Sequence, residues 1–246
     1  MPWRCISSSI AGTSHLARDL PCQDAHCVRS LENGDLVLAV ADGCGSSKRS
    51  DEGARCAVEI GAEFISERLQ AQSPANTADC EALLEAAMSE SAAAVMRLAG
   101  EADAREWATT LLLAFITDRW LATIQVGDGA IVSRDREGKV ALISRAIRGE
   151  YVNETIYITS PQYPFCTRKK TFPSARVNGI AMFTDGIEFL AVHYNDNTPH
   201  EPFFATMFEF AARRASTPEE LRDFLLSDRV CERTDDDKTL VLAVRS

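Results

Sequence analysis

The chain has 246 residues, 46% hydrophobic and 25% charged, with a formal net charge of −10. That composition suits a globular protein that buries a real core. The acidic balance argues against a nucleic-acid binder, whose affinity comes from Lys and Arg neutralising phosphates.

In chain order, a short strand is expected at 25–28. The run 36–41 is unbroken and apolar after the turn Glu32-Asn33-Gly34-Asp35, as in a strand buried on both faces. Ser50 is the expected N-cap of a helix, with Asp51 and Glu52 where the helix dipole favours anions. Ala57, Val58, Gly61, Phe64, Ile65 and Leu69 follow at helical spacing. A second helix is expected over 77–98, stopped by Gly100. Strands are expected at 110–117, 120–126, 130–133 and 140–143, the last two joined by Glu137-Gly138.

From 145 to about 174 the pattern weakens, with Pro161, Pro164, Pro173 and the basic knot Arg168-Lys169-Lys170, which reads as a solvated surface. Strand character returns at 177–184. Helices follow at 203–214 and at 218–226, where Pro218 opens the second. Phe203, Phe204, Phe208 and Phe210 have the spacing of a core-facing helix. The last strand is 239–244. Helices do not alternate strictly with strands, so one parallel sheet fits poorly. Antiparallel sheets with helices packed outside, an α+β arrangement, fit better.

Five acidic positions share one context. Asp42, Asp128 and Asp185 each end an apolar run and precede glycine; Asp235-Asp236-Asp237 opens the last strand; Asp24 precedes the first. One Asp-Gly pair is ordinary turn chemistry. Five such acids at strand ends imply carboxylates gathered close enough to repel unless a cation compensates. Oxygen ligands suit Mg²⁺ or Mn²⁺, and two such ions would activate water for phosphoryl chemistry. Competing chemistries lack their motifs: there is no Gly-x-Ser-x-Gly elbow, no HExxH and no Walker A loop. Eight cysteines occur without a CxxC pair, so zinc is not suggested. With no signal-like N-terminus and no apolar run near roughly 18 residues, the expectation is a cytoplasmic protein with reduced thiols and no membrane or nucleic-acid partner.

Six motifs stand in the order seen in PP2C (PPM) protein phosphatases, and the chain resembles that family over nearly its whole length. They are Gln23-Asp24-Ala25, Ala41-Asp42-Gly43-Cys44-Gly45, Ala108-Thr109-Thr110-Leu111, Val126-Gly127-Asp128-Gly129, Phe183-Thr184-Asp185-Gly186 and Asp236-Asp237-Lys238-Thr239-Leu240. The stretches from Gly12-Thr13-Ser14-His15 to Cys22-Gln23-Asp24 and from Gly149 to Thr155 resemble its bacterial branch.

The resemblance implies one domain over 1–246, a four-layer α/β/β/α sandwich with two central antiparallel sheets, and a flap-like insert at about 145–174. It implies a Ser/Thr phosphatase using a binuclear Mn²⁺ or Mg²⁺ centre, with a third ion as a further option. Asp42 would bridge the metals and the Gly43 carbonyl would bind the second. Asp185 and Asp236 would hold the first, and Asp24 would reach the centre directly or through water. Asp128 with Asp185 would form a weaker third site. Asp236 is chosen over Asp237 by its distance to Thr239. Partners would be phosphorylated proteins, a bacterial Ser/Thr kinase with its substrates, and a von Willebrand A-type protein.

This chain departs from the family pattern at three places. Gln23 stands where many relatives carry Glu. His15 stands in place of a phosphate-gripping Arg, as a phosphate donor or a polar loop residue, unless Arg18 serves instead. Cys44 stands where some relatives carry a histidine that protonates the leaving group. A catalytically weak phosphoprotein-binding scaffold is the alternative function, and a two-metal nuclease a third, which the acidic charge disfavours.

Overall fold

The computed structural model describes residues 3–145, 155–193 and 196–245. In chain order its elements are β1 (Trp3–Ile10), α1 (Thr13–Leu16), β2 (Asp24–Ser30), β3 (Leu36–Asp42), α2 (Ser50–Ala71), α3 (Thr77–Ala99), β4 (Leu111–Ile116), β5 (Trp120–Val126), β6 (Ala130–Asp135) and β7 (Val140–Arg145). There follow β8 (Arg168–Pro173), β9 (Val177–Phe183), α4 (Glu188–Ala191), β10 (Val192–His193), β11 (Thr198–Pro199), α5 (Glu201–Ala212), α6 (Pro218–Leu226), α7 (Asp228–Cys231) and β12 (Lys238–Arg245). Two five-stranded sheets, ordered β1-β12-β9-β6-β7 and β2-β3-β4-β5-β8, are antiparallel throughout.

Strand alternation explains why these segments read as unbroken apolar runs. In β3 and β4, Val37, Ala39, Leu111, Leu113 and Phe115 face α2 and α3, whereas Leu36, Leu38, Val40, Leu112 and Ala114 face the opposite sheet. Ile180, Met182, Val241 and Ala243 meet them from β9 and β12. The other face of those strands, with Phe183, Leu240 and Leu242, packs on Phe204, Phe208, Leu221 and Leu225 of α5 and α6. Three apolar interfaces between four layers make the expected α/β/β/α sandwich, each face burying side chains at roughly 25 cal/mol per Å². Helices α2 and α3 approach closely because Gly61 leaves no room for a side chain beside Ser91 and Leu113.

Three local features differ from the sequence expectation. Ser50 is not the N-cap of α2: that position is Arg49, and the Ser50 hydroxyl instead donates to the Cys44 and Ser47 carbonyls at 3.0 and 3.3 Å. Strand β1, unread because serines occupy 7–9, pairs along its full length with β12. Part of the weakly patterned insert is regular: Arg168-Lys169-Lys170 lies in β8, an edge strand on β5. There Lys169 pairs with Glu85 and with Glu81 at 3.6 Å on α3, so one member of the basic knot is held by the protein itself. Residues 146–154 of the expected flap lie outside the described residues.

All eight cysteines are free. Among the described residues, no helix is long and apolar enough to cross a membrane.

Candidate active site

Every anticipated aspartate comes from the same end of the sandwich. Asp24 opens β2 and lies directly opposite Asp42, which closes β3. Asp185 follows β9, Asp236 precedes β12, and Asp128 sits in the turn from β5 to β6. Since β5 and β6 belong to different sheets, that turn carries the acid across the gap between them. Asp42, Asp128, Asp185, Asp236 and Asp237 line one cleft of about 140 Å³, with Gly43 also at its wall. Asp24 lies just behind it, close enough to raise the Asp42 carboxyl by charge repulsion.

The local sequence fixes each carboxylate through its backbone. At Asp42 the amide donates to the Thr110 hydroxyl at 2.9 Å. The Asp42 carbonyl accepts from the Thr110 amide at 2.9 Å and the Thr109 hydroxyl at 3.0 Å. Asp128 is flanked by Gly127 and Gly129, at φ +90° and +79°, a left-handed backbone that glycine adopts without penalty. Buried Gln125 then donates to the carbonyls of Gly127, Asp128 and Gly129 at 3.1, 3.1 and 3.0 Å.

The acidic triplet is clamped from both sides: a side chain at Gly12 or Gly186 would collide with the backbone of Asp235–Asp237. Gly43 is likewise closed in by the Gln23 carbonyl and Ser50.

Electrostatically the cleft is under strain. Asp24 and Asp42 are held well above the ordinary carboxylate range, first by burial; the neighbouring acids Asp237 and Asp185 add to this at Asp24, and Asp24, Asp185 and Asp128 at Asp42. Asp185 is raised to about 7 by burial and then by Asp128, although a hydrogen bond with Asp42 partly offsets this. Asp128 is raised by burial, against which the Thr155 hydroxyl donates at 2.8 Å. Lys238, fully buried on β12, gives its ammonium to the Asp236 carbonyl at 3.0 Å.

Several oxygens here have no donor. Asp24 Oδ1, Asp185 Oδ1 and Gln23 Oε1 are buried without a hydrogen-bond partner, which is costly unless something positive fills the gap. An all-oxygen acceptor set of this kind fits a hard divalent cation. Among the described residues, no three acidic, histidine or cysteine side chains already form a closed metal cage, as expected of like charges fixed by separate strands.

The two phosphate candidates engage the protein itself. His15 is buried and its Nδ1 is 2.8 Å from Asp237 Oδ1, though misaligned for a hydrogen bond. Exposed Arg18 folds back on the Ser14 carbonyl at 3.0 Å. Neither lines the cleft. Asp237, the alternative to Asp236, is a brace: it accepts from the amides of Gly12 at 2.7 Å and Gln23 at 2.6 Å. Asp236 is exposed at the cleft.

Sequence reading missed a hydroxyl network behind the acids. Thr184 donates to Asp24 Oδ2 at 2.7 Å and accepts from the Thr239 amide at 3.0 Å. The Thr239 hydroxyl reaches Ser9 at 2.6 Å, and Ser9 reaches His26 Nδ1 at 2.7 Å. The only signal was threonine recurring inside the motifs. Tyr157 and Thr155, also at the cleft, carried no signal beyond the Gly149–Thr155 stretch.

Comparison with known proteins shows the family and the fold. The family model described as protein phosphatase 2C matches residues 11–226. The chain is 36% identical to serine/threonine-protein phosphatase 3 of Escherichia coli (strain K12) over 99% of both chains. In fold it is similar to serine/threonine phosphatase Stp1 of Staphylococcus aureus, at a TM-score of 0.67 and 14% identity over 100% and 96% of the two chains. It is also similar to RsbX in complex with magnesium, at 0.57 and 16% identity over 99% and 96%. A family match across most of the sequence, and a serine/threonine phosphatase this similar along its whole length, show that the chain belongs to the protein phosphatase 2C family.

Proposed function

We propose that this serine/threonine phosphatase hydrolyses phosphoserine and phosphothreonine esters of proteins at the carboxylate cleft, with two Mg²⁺ or Mn²⁺ ions. Asp42, Asp185 and Asp236 would hold them with the Gly43 carbonyl, Asp24 would assist directly or through water, and Asp128 with Asp185 would offer a weaker third position. When bound, such ions supply the charge that neutralises phosphoryl oxygens and lowers the pKa of water.

The observation that carries this reading is the set of buried oxygens without donors, Asp24 Oδ1, Asp185 Oδ1 and Gln23 Oε1, at a cleft whose acids repel. Gathered carboxylates with buried oxygens that no donor reaches have use for a cation. RsbX, of the same fold, is described with magnesium. Within the chain, Thr109 and Thr110 hold the Asp42 backbone still, so electrostatic stabilisation is organised before substrate arrives. Phosphorylated substrates of a Ser/Thr kinase are the partners this chemistry serves.

Calorimetry of metal-free protein with Mn²⁺ is expected to show saturable binding and a raised Tm, both lost in Asp42→Ala and Asp185→Ala. A phosphothreonine peptide should be hydrolysed only with the cation. Absence of any Mn²⁺ or Mg²⁺ association would overturn the metal assignment. Cation binding with no turnover of phosphopeptide would favour a phosphoprotein-binding scaffold.

A further inference from the structure

Two carboxylates on separate strands can share one cation only if their spacing suits the metal's ligand distances, and Mg²⁺ in particular tolerates little error. An ion held between Asp128 and Asp185 therefore depends on whatever fixes the separation of those two acids.

We propose that the end of β7 sets the separation of Asp128 and Asp185, and with it the affinity of the weaker third ion, Ser144 acting through Gln125 and Arg145 through Glu188. These four are positioning residues. The inference rests on the cation reading above and deepens it.

The two acids flank one row of backbone pairing. Ala130, two residues after Asp128, is in register with Phe183 on β9, two residues before Asp185. On its other side Ala130 is in register with Arg145 on β7. A side chain at Gly129 would collide with the Phe183 carbonyl, and one at Gly127 would collide with Thr110. The Asp128 turn is wedged between Thr110 and β9.

Behind the turn stands Gln125. Its buried amide nitrogen donates to the carbonyls of Gly127, Asp128 and Gly129, which gathers the backbone around Asp128 on one side chain. Reversing the amide would set its oxygen against three carbonyls. The Ser144 hydroxyl favours the observed orientation by donating to Oε1 at 2.5 Å. Ser144 belongs to β7 in one sheet and Gln125 to β5 in the other, so this bond spans the sandwich. Thr155 fixes the Asp128 carboxylate separately, donating to Oδ2 at 2.8 Å.

Arg145, the next residue of β7, serves the second acid. Its guanidinium donates to Glu188 Oε2 at 3.1 Å, and the two side chains are only 8% and 6% exposed. Glu188 opens α4 three residues after Asp185. Arg145 also donates to Asn197 Oδ1 at 2.5 Å. Removing one partner of a buried ion pair is strongly unfavourable, so this pair holds the turn after Asp185 firmly. Adjacent residues of one strand thus reach both acids.

The test titrates metal-free protein with Mn²⁺, counting bound ions by electron paramagnetic resonance and measuring heats by calorimetry. Wild type should take up tight ions and one weaker ion, and Asp128→Ala should remove the weaker one. Gln125→Met keeps the length of the side chain but leaves three carbonyls without their donor. It should raise the weaker dissociation constant roughly 10–100-fold with the tight ions unmoved. Ser144→Ala and Arg145→Lys should act in the same direction by less, and they decide on the same criterion if Gln125→Met does not fold. Equal weakening of tight and weaker ions means a general loosening of the fold and overturns the inference, as does an unmoved weaker ion. A wild type without a weaker ion, or Asp128→Ala that keeps it, overturns the third position and this inference together. Where Asp128→Ala removes that ion and the other variants leave it unshifted, this inference alone fails.

Discussion

Asp185 shows at a single residue what the cleft costs the protein and what it is for. Its carboxyl is pushed to about 7 by burial and then by Asp128, and shares a hydrogen bond with Asp42. One of its oxygens has no donor at all. Replacing it by Asn keeps the shape, removes a charge and brings an N–H to a site of acceptors. Asp185→Asn is therefore expected to raise the Tm of the metal-free protein at neutral pH, by roughly 2–4 °C for each kcal/mol of repulsion relieved. The same variant should lose the Tm increase that Mn²⁺ gives wild type. Differential scanning calorimetry with and without Mn²⁺ checks both halves. An unchanged metal response would remove Asp185 from the ion-binding set.

At the level of elements, the acids are only as well placed as the strand ends that carry them. The β3–β4 pairing ends in a polar clasp, in which the Asp42 amide rests on the Thr110 hydroxyl. Thr110→Val keeps the volume but leaves that amide without a partner, a loss of about 1–3 kcal/mol. It should lower Tm and weaken Mn²⁺ binding, while Thr110→Ser retains both; chemical denaturation and calorimetry measure the two effects. Full Mn²⁺ affinity in Thr110→Val would mean the clasp serves stability alone. How far such elements could be read in advance depended on whether burial left a mark on composition. Strands β3 and β4 are covered on both faces and so appear as unbroken apolar runs. Strand β1 alternates inward Ile6, Ser8 and Ile10 with half-buried neighbours, and its serines hide that alternation. In β8 the basic Lys169 meets Glu81 and Glu85, a long-range pairing that no local pattern contains. The site follows the same logic. Asp42, Asp128 and Asp185 were visible because strand end and glycine coincide, whereas Thr184, Thr239 and Ser9 work through contacts as many as 230 residues apart in sequence.

For the molecule as a whole, the gathered acids should reverse the usual response of a protein to mild acid. Asp24, Asp42 and Asp128 are raised above their ordinary value of 3.8, and Asp185 reaches about 7, in each case chiefly through burial. A carboxyl whose pKa is higher folded than unfolded binds protons more tightly in the native state. Its favourable contribution is complete below the unfolded pKa and is lost as pH rises through the folded one. The metal-free protein should therefore lose stability between about pH 4 and pH 7, the window set by the unfolded value and by Asp185. Exposed pairs such as Arg105 with Asp103 do little to counter this, since solvent screens them. A cation that takes the place of those protons inverts the slope, because it binds the deprotonated form. Melting curves at pH 5, 6, 7 and 7.5, in chelator and in Mn²⁺, should diverge steadily as pH rises, with the metal-free curve falling. Asp185→Asn should flatten the metal-free curve at its upper end. If the two curves run parallel across that range, protons and metal do not compete for the same carboxylates, and the acids at this end of the sandwich are not a cation site.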